Sequence, residues 1–233
     1  VFREMVPHSL KPLLDCGPMK PQLHYYWWRA ISVSFLLRPN PRTLSWLEGH
    51  HTLPLTPNQS CVSVYVRRGD KVRVRRGQAE MEAVPFLEYA SAAELLWREL
   101  LNTDESVREK EVKGTMFLGS EDVSVLYEAQ QWAKTSGWRV LYTEVIDRTR
   151  AHALTTKNRR TGLKDEYLAM ILNLEYALQC DAWVCTLASN FCRLIDELRT
   201  TVVGKSDRLF ADLSRETCSD PPCIGENIKS FDW

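Results

Sequence analysis

The sequence has no uninterrupted apolar run approaching the roughly 18 residues of a membrane-spanning helix. Its densest stretch, "HYYWWRAISVSFLL" (24–37), is 14 residues long and is broken by Arg29, which suits a buried helix. It has no charge bias: basic and acidic residues balance at 30 each over 233 residues. The whole molecule is therefore not drawn to nucleic acid or membrane, and any anion site must come from local clustering. Neither GxGxxG nor GxxxxGK followed by Ser or Thr occurs, so dinucleotide and P-loop chemistry are not indicated. Seven cysteines with no CxxC pair are too few for a disulfide scaffold and lack zinc spacing. Two pairs are close, Cys185 with Cys192 and Cys218 with Cys223. From spacing, each fits a bridge in an oxidising compartment and equally a pair of buried thiols in a reducing one. Repeats and low-complexity segments are missing too. Val1 is not a start methionine and no signal peptide is visible; the expectation is a processed product or a fragment whose targeting segment lies elsewhere.

What is present alternates. Residues 1–22 are proline-rich and read as irregular. A helix is expected over 24–37, stopped by Pro39 and Pro41. "CVSVYV" (61–66) is a β-branched run typical of a buried strand. Residues 85–101 form a helical pattern with Pro85 at its first position and Leu87, Ala90, Ala93, Trp97 and Leu101 on one face. A strand at 114–122 precedes a helix capped by Ser120 and closed by Gly137. Then come a strand (138–143), a helix (165–179), a strand (182–186) and a helix (189–200) whose Phe191, Leu194, Ile195 and Leu198 share a face. Four strand–helix alternations with short connections predict an α/β fold: a Rossmann-like parallel sheet with helices on both faces. The division expected is an irregular segment and connecting helix (1–50), a Rossmann-like unit (51–205) and a C-terminal tail (206–233).

Open α/β sheets bind ligands outside the carboxyl ends of their strands. There the sequence places "RRGDK" (67–71), "GSED" (119–122) and "TLASN" (186–190). Arg67, Arg68 and Lys71 end an apolar strand abruptly, and guanidinium forks match phosphate oxygens in a bidentate way. "TLASN" offers hydroxyls and backbone N–H groups at a helix start, which favour an anion. A diphosphate-containing ligand satisfies both. The plain alternative is a solvated turn with a local Arg–Asp pair. Nucleic acid is the less economical alternative: "RRGDKVRVRR" holds six basic residues in ten. Acidic residues follow it at once, no aromatic interleaves it and the net charge is zero.

Three blocks in order carry a family resemblance: "VYVRRGDKV" (64–72), "MFLGSEDVSVLYEA" (116–129) and "ILNLEYALQCDAWVCTLASNFCRLIDEL" (171–198). "YYWWRAISVSFLLRPNPRTLSWLE" (25–48) adds a weaker fourth. Together they resemble the α1,6-fucosyltransferases of the N-glycan core and of bacterial nodulation. The resemblance implies the C-terminal donor-binding half of a GT-B glycosyltransferase that transfers fucose from GDP-fucose to a glycan or glycoprotein acceptor with inversion. It implies no metal, no cofactor beyond the GDP-sugar co-substrate, and no nucleic-acid partner. It also implies a Golgi or other secretory setting, with a type II membrane anchor absent from this chain. By position, Arg67 clamps the diphosphate and Arg68 supports its loop. Ser189, with Asn190 in place of the family's glutamine, holds phosphates from the helix start, and Asp122 takes the acidic position of the second block. The base is placed at Glu80, with Glu82 as the runner-up, after an insertion of about five residues around "RVRRG", and Lys71 relays between base and phosphates. Cys185 and Cys192 match a family disulfide.

Two binding positions depart from the family, Tyr65 for a histidine and Asn173 for the aspartate that reads guanine. An amide offers guanine one acceptor and a donor where a carboxylate accepts twice. A GT-B enzyme closes two lobes and this chain has room for one, so a missing N-terminal lobe or partner chain is expected. These departures keep a second reading open, a non-catalytic glycosyltransferase-like module serving as a structural or protein-interaction domain.

Overall fold

The structure, a computed structural model, describes residues 6–15, 23–55, 60–68, 82–103, 113–143, 159–215 and 222–225. Six strands form one sheet: β1 (Val62–Val66), β2 (Thr115–Ser120), β3 (Arg139–Leu141), β4 (Ala182–Cys185), β5 (Phe210–Asp212) and β6 (Cys223–Gly225). Their order is β3-β2-β1-β4-β5-β6. Every pairing is parallel except β5 with β6. This is the expected α/β architecture, with one antiparallel edge strand added. The chain winds from β1 outward through β2 to β3, then returns to lay β4 against the other side of β1. The direction of winding reverses between β1 and β4, which makes a topological switch point.

Helices cover both faces, so the strands are apolar almost throughout. Val62, Val64 and Val66 turn toward α4 (Phe86–Thr103), where they meet Tyr89, Ala93, Leu96 and Trp97 in one core cluster. On the opposite face Phe117, Trp183 and Cys185 join a second cluster with Tyr176, Leu178, Ile195 and Leu198. Those come from α6 (Arg159–Gln179) and α7 (Asn190–Thr201). Between β2 and β3 runs α5 (Val123–Ser136), closed by Gly137 at φ 74°, a left-handed posture that costs glycine little.

Four sequence expectations need correction. The face of α4 is rotated: Phe86, Tyr89, Leu96 and Leu100 are buried while Leu87 is 63% exposed. Ala90, Ala93 and Trp97 belong to both stripes, so periodicity alone did not separate them. This helix starts at Phe86, with Pro85 just before it accepting from Glu88 N–H at 3.1 Å. Helix α5 is capped by Asp122, whose carboxylate accepts from Ser124 N–H at 2.9 Å, because β2 already claims Ser120. In the segment read as irregular, Lys11–Asp15 makes a short helix, α1.

The prolines after α2 (His24–Leu36) also begin something. Asn40 caps a further helix, α3 (Pro41–His50), by accepting from Thr43 N–H at 3.0 Å, with Pro41 in its first turn. The sheet itself continues through β5 and β6 into residues after 205.

Two devices tie the layers together. Cys61 and Cys180, each just before one of the neighbouring strands β1 and β4, form a disulfide that spans 119 residues of sequence. Helix α2 docks on α7 through polar contacts: Tyr26 Oη donates to Asp196 O at 3.1 Å, and Arg29 pairs with the buried Glu197 at 2.5 Å. Beneath them Arg199 is fully buried. It donates to Asp196 Oδ1 (2.8 Å), Lys205 O (3.0 Å) and Arg208 O (2.9 Å), and its guanidinium lies over Trp183 and Phe210. A buried charge is tolerated only when paired and hydrogen-bonded in this way.

Opening the long disulfide loop should be costly, because the bridge removes entropy from the unfolded chain. Replacing Cys61 and Cys180 together by serine should lower the unfolding free energy by about 2–5 kcal/mol in urea titrations; an unchanged midpoint would contradict this. Glu197 gives a pH signature. Burial pushes its carboxyl up to about 7; Arg29 opposes this, Asp196 adds to it, and Arg193 opposes it again. The folded state thus keeps a proton that the unfolded chain, with an ordinary value of 4.5, releases. Stability from this group therefore rises as pH falls from about 8 and levels off below about 4.5. The stability of wild type relative to Glu197→Gln should grow over that fall by at most about 3 kcal/mol. Parallel melting curves for the two proteins would refute it.

Candidate functional site

The carboxyl edge of the sheet is where the sequence concentrates its polar residues. Beyond β1 stand Arg67 and Arg68, beyond β2 Glu121 and Asp122, and beyond β4 the turn 186–189 leading into α7. Since β1 pairs with β2 on one side and β4 on the other, the arginine pair sits between the other two loops, at the switch point.

Each arginine meets an acid. Arg67 forms an ion pair with Glu121, and both side chains are about nine-tenths buried. Arg68 grips Glu128 of α5 with both arms of its fork, at 2.6 and 3.0 Å. The Glu128 hydrogen bonds raise the Arg68 pKa further, burial opposing. Ser120 closes the corner by donating to Val66 O at 2.9 Å and accepting from Asp122 N–H at 3.1 Å. Asp122 spends its carboxylate on the α5 cap and on Ser124 Oγ at 2.7 Å. The acid facing Arg67 is Glu121, its neighbour, which sequence reasoning passed over. An acidic residue after a strand and before a cap was the available signal.

The turn after β4 is held from several sides. Asp212 at the end of β5 is fully buried, and its Oδ1 accepts from Leu187 N–H (2.8 Å), Ser214 N–H (3.0 Å) and Ser214 Oγ (2.6 Å). Ser189 N–H donates to Thr186 O at 2.9 Å, and the Cys185–Cys192 disulfide joins the strand to the first turn of α7. Ser189 is the N-cap of α7, but its side chain makes no capping bond. The first N–H groups of such a helix have no acceptor within it. Asn190 opens α7 and is exposed. Beneath the turn Tyr89 and Thr186 are fully buried, and neither hydroxyl has a hydrogen-bond partner among the described residues. Burial pushes the Tyr89 phenol up, opposed by the charge of nearby Arg68. Sequence reasoning did not single out Tyr89, yet it lies near both Arg68 and Thr186.

Tyr65 and Asn173 lie on the other face of β1. The Tyr65 ring packs 4.5 Å from Phe191 and across Gly119, where an added Cβ would come within 2.9 Å of it. Asn173 Oδ1 accepts from Thr143 Oγ1 at 2.5 Å and its Nδ2 donates to Ala169 O at 3.0 Å. Tyr65, Gly119, Asn173 and Phe191 line a crevice too narrow for a water molecule. The structure therefore brings Arg67, Arg68, Asp122, Ser189 and Asn190 to one edge, with Tyr65 and Asn173 beside it. Lys71 and Glu80 lie outside the described residues, as does Cys218; Cys223 is disulfide-bonded. Glu82 pairs with Arg215 at 2.9 Å on the surface. Among the described residues no group of three or more His, Cys, Asp or Glu is placed to hold a metal ion, and no helix is long and apolar enough to cross a membrane.

The chain is similar to several known proteins. The chain is 28% identical over 203 residues to an α-(1,6)-fucosyltransferase of Drosophila melanogaster, covering 85% of this chain and 30% of that protein. It thus spans under a third of that relative's length. Among solved structures, NodZ α-1,6-fucosyltransferase soaked with GDP-fucose matches 79% of this chain and 46% of its own at 12% identity, with a TM-score of 0.38. POFUT1 in complex with GDP-fucose matches 84% and 56% at 14% identity, with a TM-score of 0.41. A family model for α-(1,6)-fucosyltransferase N- and catalytic domains matches residues 5–214. By that match, which takes in the whole sheet edge just described, the chain belongs to the α1,6-fucosyltransferase family.

Proposed function

We propose that this chain is the donor-binding part of a glycosyltransferase that moves a sugar, fucose, from a GDP-sugar to a glycan acceptor, with inversion and without a metal. The observation that carries the reading is the adjacency of β1, which leads into Arg67 and Arg68, and β4, whose turn leads into α7, at the switch point. Guanidinium groups and a helix N-terminus on neighbouring loops suit a pair of phosphates. Glu121 and Glu128 balance the charge of the arginines. A diphosphate would take over part of that role.

The chemistry is the one that the family resemblance implies. The acceptor hydroxyl oxygen forms a bond to the anomeric carbon from the side opposite the nucleotide, and the bond from that carbon to the β-phosphate oxygen breaks. Glu80 takes the hydroxyl proton as general base. GDP departs with the bonding electron pair, and Arg67 stabilises the charge that grows on its β-phosphate. Lys71 links the base to the phosphates. Two disulfides join four of the described cysteines, and such bridges persist in an oxidising setting, which supports a secretory location.

One observation favours the second reading, a non-catalytic module. Both ends of the Asn173 amide are engaged by Thr143 and Ala169, which leaves one N–H donor and one lone pair for a base edge.

Calorimetric titration with GDP, with UDP and ADP as controls, tests donor binding. GDP should bind saturably and in preference to the controls, and Arg67→Ala should weaken it by about 10- to 100-fold, as for loss of a charged hydrogen bond. No binding of any nucleotide would count against the reading. In the full-length enzyme Glu80→Gln should cut transfer by about 100- to 10,000-fold, the usual range for a general base, and leave GDP affinity unchanged. An unchanged transfer rate in that variant would instead support the non-catalytic module.

A further inference from the structure

The turn from Thr186 to Asn190 has a second clamp that the reading above leaves without a role. Arg193, one turn into α7, reaches back over the helix start. Its Nε donates to Leu187 O at 2.7 Å and its Nη1 to Asn190 Oδ1 at 3.2 Å. Leu187 is thereby held at both ends of its backbone, the N–H by Asp212 and the carbonyl by Arg193. For Asn190 the consequence is chemical. A guanidinium can only donate, so the oxygen of the amide must face Arg193. The Nδ2 group, with its two N–H donors, is left facing away from it.

We propose that Arg193 is a positioning residue of the phosphate site. It fixes the posture of the 186–190 turn and orients the Asn190 amide so that its N–H donors face a bound diphosphate. This rests on the GDP-sugar reading and adds to it a residue that does not touch the ligand. Arg193 is also suited to the task by its surroundings. Burial and Arg29 lower its pKa, while Glu197 and Asp212 support its charge, and an arginine stays protonated in such a setting. The buried Thr186 hydroxyl, without a hydrogen-bond partner among the described residues, lies in the same turn. A lysine would retain the charge but could not span Leu187 O and Asn190 Oδ1 with a planar fork.

The test compares wild type, Asn190→Ala, Arg193→Lys, Arg193→Met and the Asn190→Ala/Arg193→Met double variant, with GDP and guanosine as ligands and melting temperature as a control. Arg193→Met and Arg193→Lys should each weaken GDP about 10-fold and leave guanosine affinity unchanged, because only the phosphate donors are misplaced. Asn190→Ala, at an exposed position that folding tolerates, should weaken GDP about 5-fold. The double variant should be no weaker than Arg193→Met alone, since the two residues act as one unit. Equal losses for GDP and guanosine would show a merely structural role and overturn the proposal. So would multiplying losses in the double variant, full rescue by lysine, or unchanged GDP affinity in Asn190→Ala. Wild type failing to bind GDP would instead remove the donor reading itself, and this inference with it.

Discussion

Everything at the functional edge depends on the parallel pairing of β1 with β4. Their register, Val62 with Ala182 and Val64 with Val184, decides which loops become neighbours. A slip of one residue would send the apolar side chains of a strand to the opposite face. It would also carry the arginines away from the turn that starts α7. Most of the other stabilising features can be seen as protecting this one alignment. The Cys61–Cys180 bridge pins the amino ends of the pair, and Asp181 N–H donates to Cys61 O at 2.9 Å beside it. At the carboxyl ends, Asp212 draws β5 and the β4 turn together by accepting from Leu187 N–H, with Ser214 steadying the same oxygen.

The molecule is neutral overall, yet its interior is unusually ionic. Arg199, Glu197, Asp196 and Asp212 are all buried, and all lie on α7 or next to it. Removing such charges from water is expensive, and pairing offsets the cost only with good geometry. Here the geometry is set by helices α2 and α7 and by the chain after α7, so polar contacts take the place of a purely apolar seam. That arrangement makes α7 more than a cover for the sheet. Its first turn opens the candidate site, its middle holds the buried ions, and its flank receives α2.

Much of this was legible in the sequence, for reasons that can be stated. Runs such as "CVSVYV" and "AWVCT" are short, β-branched and apolar because parallel strands are covered on both faces. Gly137 marked a helix end because only a left-handed residue fits there. The polar residues of the site stood out because they follow strand ends. What stayed hidden depended on contacts between distant residues. Cys61 and Cys180 find each other only once β1 and β4 are paired. The α4 stripe was ambiguous because its alanines and Trp97 suit either rotation. Phe210–Asp212 and Cys223–Gly225 are too short to show a period, and the sheet recruits them by edge pairing. Which acid faces Arg67 was decided by the cap of α5, which consumes Asp122 and leaves Glu121. Arg193 looked like one basic residue on a helix, since its partners are a backbone carbonyl and an amide oxygen.

The Cys61–Cys180 bridge has a topological consequence beyond its energy. It closes a covalent ring that contains β1, β2 and β3 together with α4, α5 and α6, and β4 begins just beyond it. A single break in the backbone anywhere inside that ring cannot separate the two pieces, because the bond still joins them. Such a nicked chain would migrate as one species in denaturing electrophoresis without reductant and as two fragments with it. The strands that carry the arginine pair and the phosphate turn would thus remain on one covalent unit even after the loop between them had been cut.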